Sequence, residues 1–168
     1  DLEYRDPLCE AFIKGAIEQG IPLNKDYNGQ FQEGVSYVQR TTKGRFRVSA
    51  SKAFLKPVKS RQNLDIITDA FVTKIVIENK TATGVEYLKG GVRGKKIILK
   101  ANKEVILSSG VIKSPHLLNL SGIGSGEHLK DIGIDVIHDL KGVGMNLRDH
   151  FAPRMTARAK NVETVNEK

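Results

Sequence analysis

The residues whose types and spacing best suit chemistry lie in segment 104–124, EVILSSGVIKSPHLLNLSGIG. Residues 104–107, which are apolar after Glu104, predict a short buried strand, and residues 108–110 predict a turn with almost no side-chain bulk. Because serine is favoured as a helix N-cap and proline at the first helical position, Ser114 and Pro115 predict the start of a helix. The segment therefore indicates a place where the main chain can closely approach a bound molecule.

Side-chain catalysis and metal binding have less support in the sequence. The four histidines show no HExxH spacing, and no cysteine cluster accompanies them. His150 follows Asp149, and a carboxylate could orient that imidazole for proton transfer, although a surface or loop role explains the histidine better. No G-x-S-x-G elbow or P-loop is present. We therefore expect neither a catalytic residue nor a metal site among these residues.

The surrounding pattern predicts a mixed α/β (α+β) fold. The predicted helices span residues 7–20, 49–55 and 127–132, and a turn is predicted at 26–29. The predicted strands span residues 64–68, 71–77, 83–88, 96–100, 104–107 and 134–137, with a hairpin at Gly90 and Gly91. The middle of the chain is thus predicted to be a β-meander that returns to a parallel strand. Open α/β sheets bind cofactors beyond the carboxyl ends of their strands, which favours the turn at Ser109 and Gly110 as a binding site.

Composition and charge indicate a globular chain. Its 168 residues are 39% hydrophobic and carry a formal net charge of +8, and this length can bury the core of one domain. The basic residues are dispersed with little aromatic interleaving, so we interpret them as solvated loop charge and expect no nucleic-acid partner. No apolar run is long enough for an integral membrane segment. Cys9 is predicted to be a small core residue of the first helix, with a reactive or intermolecular thiol as the alternative.

Segment 104–124 resembles the second signature of the glucose-methanol-choline (GMC) flavin oxidoreductases. The matching residues are Gly110, Ser114, Pro115, Leu117, Leu118, Ser121, Gly122, Ile123 and Gly124. Val111 departs from the pattern, since the family usually has a small residue there. The blocks at 26–34, 63–78, 82–88 and 142–150 are also similar to family blocks in family order. The resemblance therefore covers roughly the whole chain through His150.

This resemblance implies part of an FAD-binding Rossmann-like domain with a β-meander, plus a portion of the substrate side. In the family, the residue matching Val72 uses its main chain to hydrogen-bond the adenine of FAD. The turn matching Ser109 and Gly110 lies against the cofactor. A plain strand valine and a glycine that serves only the turn stay open as alternatives. The implied reaction is oxidation of an alcohol or sugar CH–OH group by a glucose dehydrogenase-like enzyme. A distal histidine removes the proton, hydride passes to flavin N5, and electrons leave to oxygen or a quinone.

Two family features lack a counterpart in the sequence. Neither GIGSGE at 122–127 nor GVGMNL at 142–147 is a G-x-G-x-x-G turn that opens a βαβ unit. In the family, the catalytic histidine lies near the carboxyl end of the full-length protein, beyond the residues that these blocks match. We therefore expect an internal portion of an enzyme, with a helix-and-loop segment at 1–60, a partial FAD-binding domain at 61–150 and a tail or next segment at 151–168. Alone, it is expected neither to oxidise an alcohol nor to hold FAD tightly.

Two other classes stay open, a basic interaction module derived from an oxidoreductase domain and a non-catalytic protein in its own right. Salt-dependent binding to DNA or heparin would favour the first class. A natural transcript whose start and stop codons bound these residues would favour the second. The sequence does not determine the localisation, and the family resemblance is compatible with a secreted or extracellular enzyme.

Overall fold

The structure is a computed structural model that describes residues 5–153, 155, 156, 158 and 160. These residues form two compact units. The first unit runs to Leu64 and includes the described residues after Pro153, and the second unit is Asp65–Pro153. The second unit contains every residue that the sequence singles out for cofactor binding.

The first unit begins with helix α1, Pro7–Glu18. Asp6 caps it, since one of its carboxylate oxygens accepts from the Leu8 N–H at 2.9 Å. Gly20 has φ +87° and ends the helix, as predicted. The prediction that Cys9 is a core residue is wrong, because Cys9 is exposed. None of the residues of α1 is buried, and several, such as Ile13 and Ala16, are half-buried.

Short elements follow in the first unit. The predicted turn at 26–29 forms, with the Gly29 N–H donating to the Asp26 carbonyl at 3.0 Å. Strands β1 (Thr42–Lys43) and β2 (Phe46–Arg47) pair antiparallel. The helix predicted at 49–55 is a π-helical turn, Ser51–Leu55, and it continues into a 3₁₀ turn, Lys56–Val58. Helical structure thus continues past Leu55 to Val58 and includes Pro57. A proline in the first turn of a 3₁₀ helix is tolerated, because its missing N–H removes no required hydrogen bond.

The second unit is built on a three-stranded antiparallel meander. Its strands are β3 (Ala70–Glu78), β4 (Thr81–Lys89) and β5 (Lys95–Lys100), in the order β3-β4-β5. A two-residue turn joins β3 to β4, and both of its residues have positive φ, the type I′ geometry that matches strand twist. The predicted glycine hairpin joins β4 to β5. The central part of the predicted meander is thus confirmed.

The remaining elements are α2 (Gly110–Leu120), β6 (Ile123–Gly124), α3 (Gly126–Asp131) and β7 (His138–Asp139). Strands β6 and β7 pair in parallel. The strand predicted at 134–137 is wrong by a few residues, because the paired residues begin at His138. The strands predicted at 64–68 and 104–107 are also wrong. Neither segment pairs with another strand in the part of the chain that the structure describes, and Ile106 is 78% exposed rather than buried.

The core of the second unit lies where α2 packs on β3 and β6 and where α3 packs on β6. Its buried apolar side chains are Ile75, Tyr87, Leu117 and Leu129. They come from β3, β4, α2 and α3 respectively, so each longer element except β5 contributes one. The mixed α/β fold class predicted from the sequence is confirmed.

Candidate functional site

A buried serine joins α2 to the meander. Ser121, directly after α2, is 3% exposed. Its Oγ donates to the Leu117 carbonyl at 2.6 Å and accepts from the Ile75 N–H at 2.8 Å. Strand β3 lies at the edge of the meander, so this N–H bonds to the helix rather than to a strand. The signature serine therefore fixes the position of α2 relative to β3.

The turn before α2 leaves its main chain open. Gly110 has φ +83°, a conformation that favours glycine, and apart from the adjoining backbone no heavy atom lies within 4 Å of the place where a Cβ would stand. Ser109 and Gly110 are both exposed. Backbone geometry alone thus explains why this residue is glycine. The open space beside it is an additional feature that turn geometry does not require.

The predicted helix start, with Ser114 as the N-cap and Pro115 as the first helical residue, is wrong, since α2 begins five residues earlier, at Gly110. The Ser114 Oγ accepts from the Ser109 N–H at 3.1 Å, so it ties the turn to the helix from within. Pro115 lies inside α2 and has no N–H to donate to the Val111 carbonyl. The helix tolerates this loss near its exposed beginning, where Val111 is 68% exposed.

Val72 lies in β3 opposite Tyr87 and is 38% exposed. Directly after it, β3 contains a β-bulge, because Val72 pairs with Tyr87 whereas Lys74 pairs with Glu86. Thr73 is therefore an extra residue in β3. Bulges re-aim the residues beside them and are common next to functional sites. Sequence patterns did not predict this bulge, because a bulge depends on the register between two strands.

A polar network holds the bulge. The Thr73 hydroxyl donates to the Glu86 carboxylate at 2.7 Å and lies 3.2 Å from the Glu86 carbonyl oxygen. Lys96, on β5, lies 3.2 Å from the other carboxylate oxygen of Glu86, whose side chain is 16% exposed. The hydrogen bond from Thr73, followed by the interactions with Lys96, lowers the pKa of Glu86 below its usual value. Glu86 therefore stays ionised at neutral pH.

These features are compatible with a nucleotide cofactor that is held mainly by main-chain atoms. The turn at Ser109 and Gly110 is free of side-chain bulk, and α2, which follows it, packs on β3, the strand that contains Val72. Gly122 is different, because a Cβ there would stand 2.5 Å from the Asp135 carbonyl oxygen. That glycine serves internal packing, whereas Gly110 borders open space.

The first unit contains a second polar cluster that the sequence did not reveal. The Tyr37 hydroxyl donates to Glu10 Oε1 at 3.2 Å, and the Arg5 guanidinium lies over the Tyr37 ring, 5.5 Å from its centre. Arg5 also pairs with Glu10 at 3.2 Å. Burial, followed by the hydrogen bond with Glu10, raises the pKa of Tyr37. The cluster borders a cavity of about 460 Å³ between α1 and residues 36–39.

Asp149 and His150, the pair considered from the sequence, are joined through the main chain of the histidine and not through its imidazole. The Asp149 carboxylate accepts from the main-chain N–H of His150 at 2.7 Å, which is a local turn contact. Among residues 5–153 and the few described beyond them, no three side chains of His, Cys, Asp or Glu come together to hold a metal ion. Within the same residues, no helix combines the length and apolar character that crossing a bilayer needs.

Comparison with known proteins identifies the family. Residues 1–152 match the family described as GMC oxidoreductase. The chain is 48% identical over 147 residues to an oxygen-dependent choline dehydrogenase of Sinorhizobium fredii, and the matched region covers 88% of this chain and 26% of that protein. It is 43% identical over 151 residues to an alcohol dehydrogenase [acceptor] of Pseudomonas putida, covering 90% of this chain and 27% of that protein. The chain thus spans about a quarter of the length of the curated relatives it matches.

Solved structures agree with the sequence relatives. An FAD-dependent oxidoreductase from Chaetomium thermophilum superposes with a TM-score of 0.72 at 33% identity, over 83% of this chain and 24% of that one. A pyridoxine 4-oxidase from Mesorbium loti gives a TM-score of 0.71 at 30% identity, over 83% of this chain and 27% of that one. FAD is the cofactor that the family and these structures indicate. The resemblance seen in segment 104–124 is therefore confirmed, and the chain belongs to the GMC oxidoreductase family.

Proposed function

We propose that the protein is an FAD-dependent oxidoreductase that acts on the CH–OH group of an alcohol, and that these residues form part of its FAD site. The observation that carries the proposal is the family match over residues 1–152, together with relatives that are named choline dehydrogenase and alcohol dehydrogenase. FAD, when bound, supplies the hydride acceptor. The residues described above bind and position it.

The proposed substrate is a small alcohol, with choline and simple primary alcohols as the first candidates. The sequence resemblance suggested a glucose dehydrogenase-like enzyme and hence a sugar substrate. The names of the relatives support choline or another alcohol instead. Sugars are kept as an alternative for the assay. Oxygen or a quinone is the proposed electron acceptor.

Val72, Ser109 and Gly110 are the proposed cofactor contacts. The open space beside Gly110 supports a main-chain approach, because nothing lies within 4 Å of its missing Cβ. Val72 is a proposed main-chain contact to the adenine, which its exposure and its place on an edge strand support. In this proposal no side-chain chemistry is required of these three residues.

A matched pair of glycine variants tests the site in the full-length protein. Gly110 and Gly91 both have φ +83° and both have open space beside them. Alanine at either position is therefore expected to cost a similar amount of stability, about 1 kcal/mol. Only Gly110→Ala is expected to weaken FAD binding, by about tenfold, because a methyl group would occupy the space proposed for the cofactor, and tenfold corresponds to about 1.4 kcal/mol.

FAD dissociation constants are measured by flavin fluorescence after the cofactor is removed and added back. Equal FAD affinity in the Gly110→Ala and Gly91→Ala variants would show that Gly110 is not a contact. Anaerobic loss of flavin absorbance on addition of choline, primary alcohols or sugars identifies the substrate class. A wild-type protein that binds no FAD would refute the proposed function as a whole.

We also propose that the 168-residue chain alone neither oxidises an alcohol nor retains FAD. It corresponds to about a quarter of the relatives' length, so about three quarters of those proteins has no counterpart in these residues. Expression of these residues alone, followed by absorbance spectroscopy, tests the point. Near-stoichiometric bound flavin would contradict it.

A further inference from the structure

The β-bulge in β3 controls which edge of the strand the Val72 main chain faces. In an antiparallel strand, the N–H and C=O of successive residues point alternately toward the neighbouring strand and away from it. Residues three apart, such as 72 and 75, would then point to opposite edges. One extra residue between them changes this relation, and both point to the same edge. Thr73 is that extra residue.

Two hydrogen bonds establish the orientation independently. The Ile75 N–H donates to the Ser121 Oγ, so it points to the outer edge of β3, away from β4. On the other side of the bulge, the Asp69 carbonyl accepts from the Gly90 N–H at 2.8 Å, so it points toward the β4 side. Counting from either residue places the Val72 N–H and C=O at the outer edge. This is the edge along which Ser121 joins α2 to the sheet.

We propose that Thr73 and Glu86 are positioning residues for the cofactor, because they hold the bulge that turns the Val72 main chain outward. This inference rests on the proposed function, in which Val72 is a main-chain contact to the adenine. Without the bulge, the strand could not direct both Val72 and Ile75 to the outer edge. Either the α2 connection through Ser121 or the proposed cofactor contact would be lost.

The network around the bulge is suited to this role. Thr73 is the unpaired residue, and its hydroxyl reaches the carboxylate and the carbonyl of Glu86, the residue opposite the bulge. Lys96 holds the same carboxylate from β5. Three adjacent strands are therefore linked at the point where the register changes. The hydroxyl of Thr73, and not only its β-branched shape, therefore contributes to the bulge, since it bonds to the partner strand.

The meander contains an internal control. A second bulge, on β4, restores the register between Val76 and Ile77, and its extra residue is Thr83. The Thr83 hydroxyl lies 3.5 Å from the Val76 carbonyl oxygen, so it also faces the partner strand. Thr83 lies beside Val76, which is four residues after Val72 on β3. The variants Thr73→Val and Thr83→Val thus remove the same group from two bulges in one sheet.

The test measures the FAD dissociation constant of the full-length protein, with the urea midpoint of the FAD-free form as the second readout. Thr73→Val is expected to weaken FAD binding about tenfold, which is about 1.4 kcal/mol. Thr73→Ser, which keeps the hydroxyl, and Thr83→Val are expected to stay within about twofold of wild type. Glu86→Gln is expected to weaken binding less than Thr73→Val, because its amide oxygen can still accept from Thr73.

Equal FAD affinity in Thr73→Val and Thr83→Val would overturn the inference. Failure of Thr73→Ser to rescue binding would do the same, because it would assign the effect to shape rather than to the hydroxyl. A wild-type protein that binds no FAD would refute the proposed function instead. Failure of the inference and failure of the proposed function are therefore distinguishable. If Thr73→Val lowers only the urea midpoint, the threonine has a structural role alone and the inference is wrong.

Discussion

Removal of the Ser121 hydroxyl tests how α2 is attached to the meander. In Ser121→Ala, the Ile75 N–H loses its acceptor, and Ile75 is only 6% exposed. The Leu117 carbonyl loses the hydroxyl but keeps a main-chain donor, the Ser121 N–H at 3.1 Å. The loss therefore falls mainly on one buried donor.

The expected cost follows from that single unsatisfied group. A buried N–H without a partner costs about 1–3 kcal/mol, so we expect Ser121→Ala to lower the free energy of unfolding by about 2 kcal/mol. Urea unfolding, monitored by circular dichroism, measures this as a lower midpoint with an unchanged slope. An unchanged slope indicates that the variant alters stability rather than the compactness of either state.

Ser125→Ala is the matched control. Ser125 precedes α3, but its side chain makes no capping hydrogen bond there. Its replacement is expected to change stability by less than about 0.5 kcal/mol. A Ser121→Ala variant as stable as the Ser125→Ala variant would refute the reasoning, because it would show that water or another group satisfies the Ile75 N–H.

Two further predictions concern close packing and charge. Gly122→Ala is expected to lower the free energy of unfolding in urea by about 2–4 kcal/mol, because positive φ is combined with a Cβ placed against the Asp135 carbonyl oxygen. Gly133→Ala, which has positive φ but open space, is expected to cost about 1 kcal/mol. Equal costs would contradict the role of packing at Gly122. Since the pKa of Glu86 is lowered in the folded state, its contribution to stability is present above about pH 4.5, the ordinary glutamate value, and is lost as the pH falls through the folded-state pKa. Glu86→Gln should therefore flatten the acid side of the stability profile, whereas Glu78→Gln, at the exposed end of β3, should leave its slope close to wild type.

Local patterns predicted the parts of the fold that depend on neighbouring residues. The helix beginning at Pro7 is confirmed, since an Asp cap, a proline and a terminal glycine all lie within or beside it. The three strands of the meander are confirmed by their pairing, and their sequence signal was a run of β-branched and apolar residues between turn residues. The segments at 64–68 and 104–107 have similar local patterns but no partner strand among the described residues. A strand is defined by pairing, which local composition does not supply.

The sequence by itself determined the family, the signature in segment 104–124 and the existence of the meander, because each depends on residue types at fixed spacing. Only the tertiary structure decided how these parts work together. The link from Ser121 to Ile75 joins residues 46 positions apart, and the bulge at Thr73 exists only relative to the register of β4. Hydrogen bonds between distant segments are set by packing, so no local pattern encodes the edge that the Val72 main chain faces.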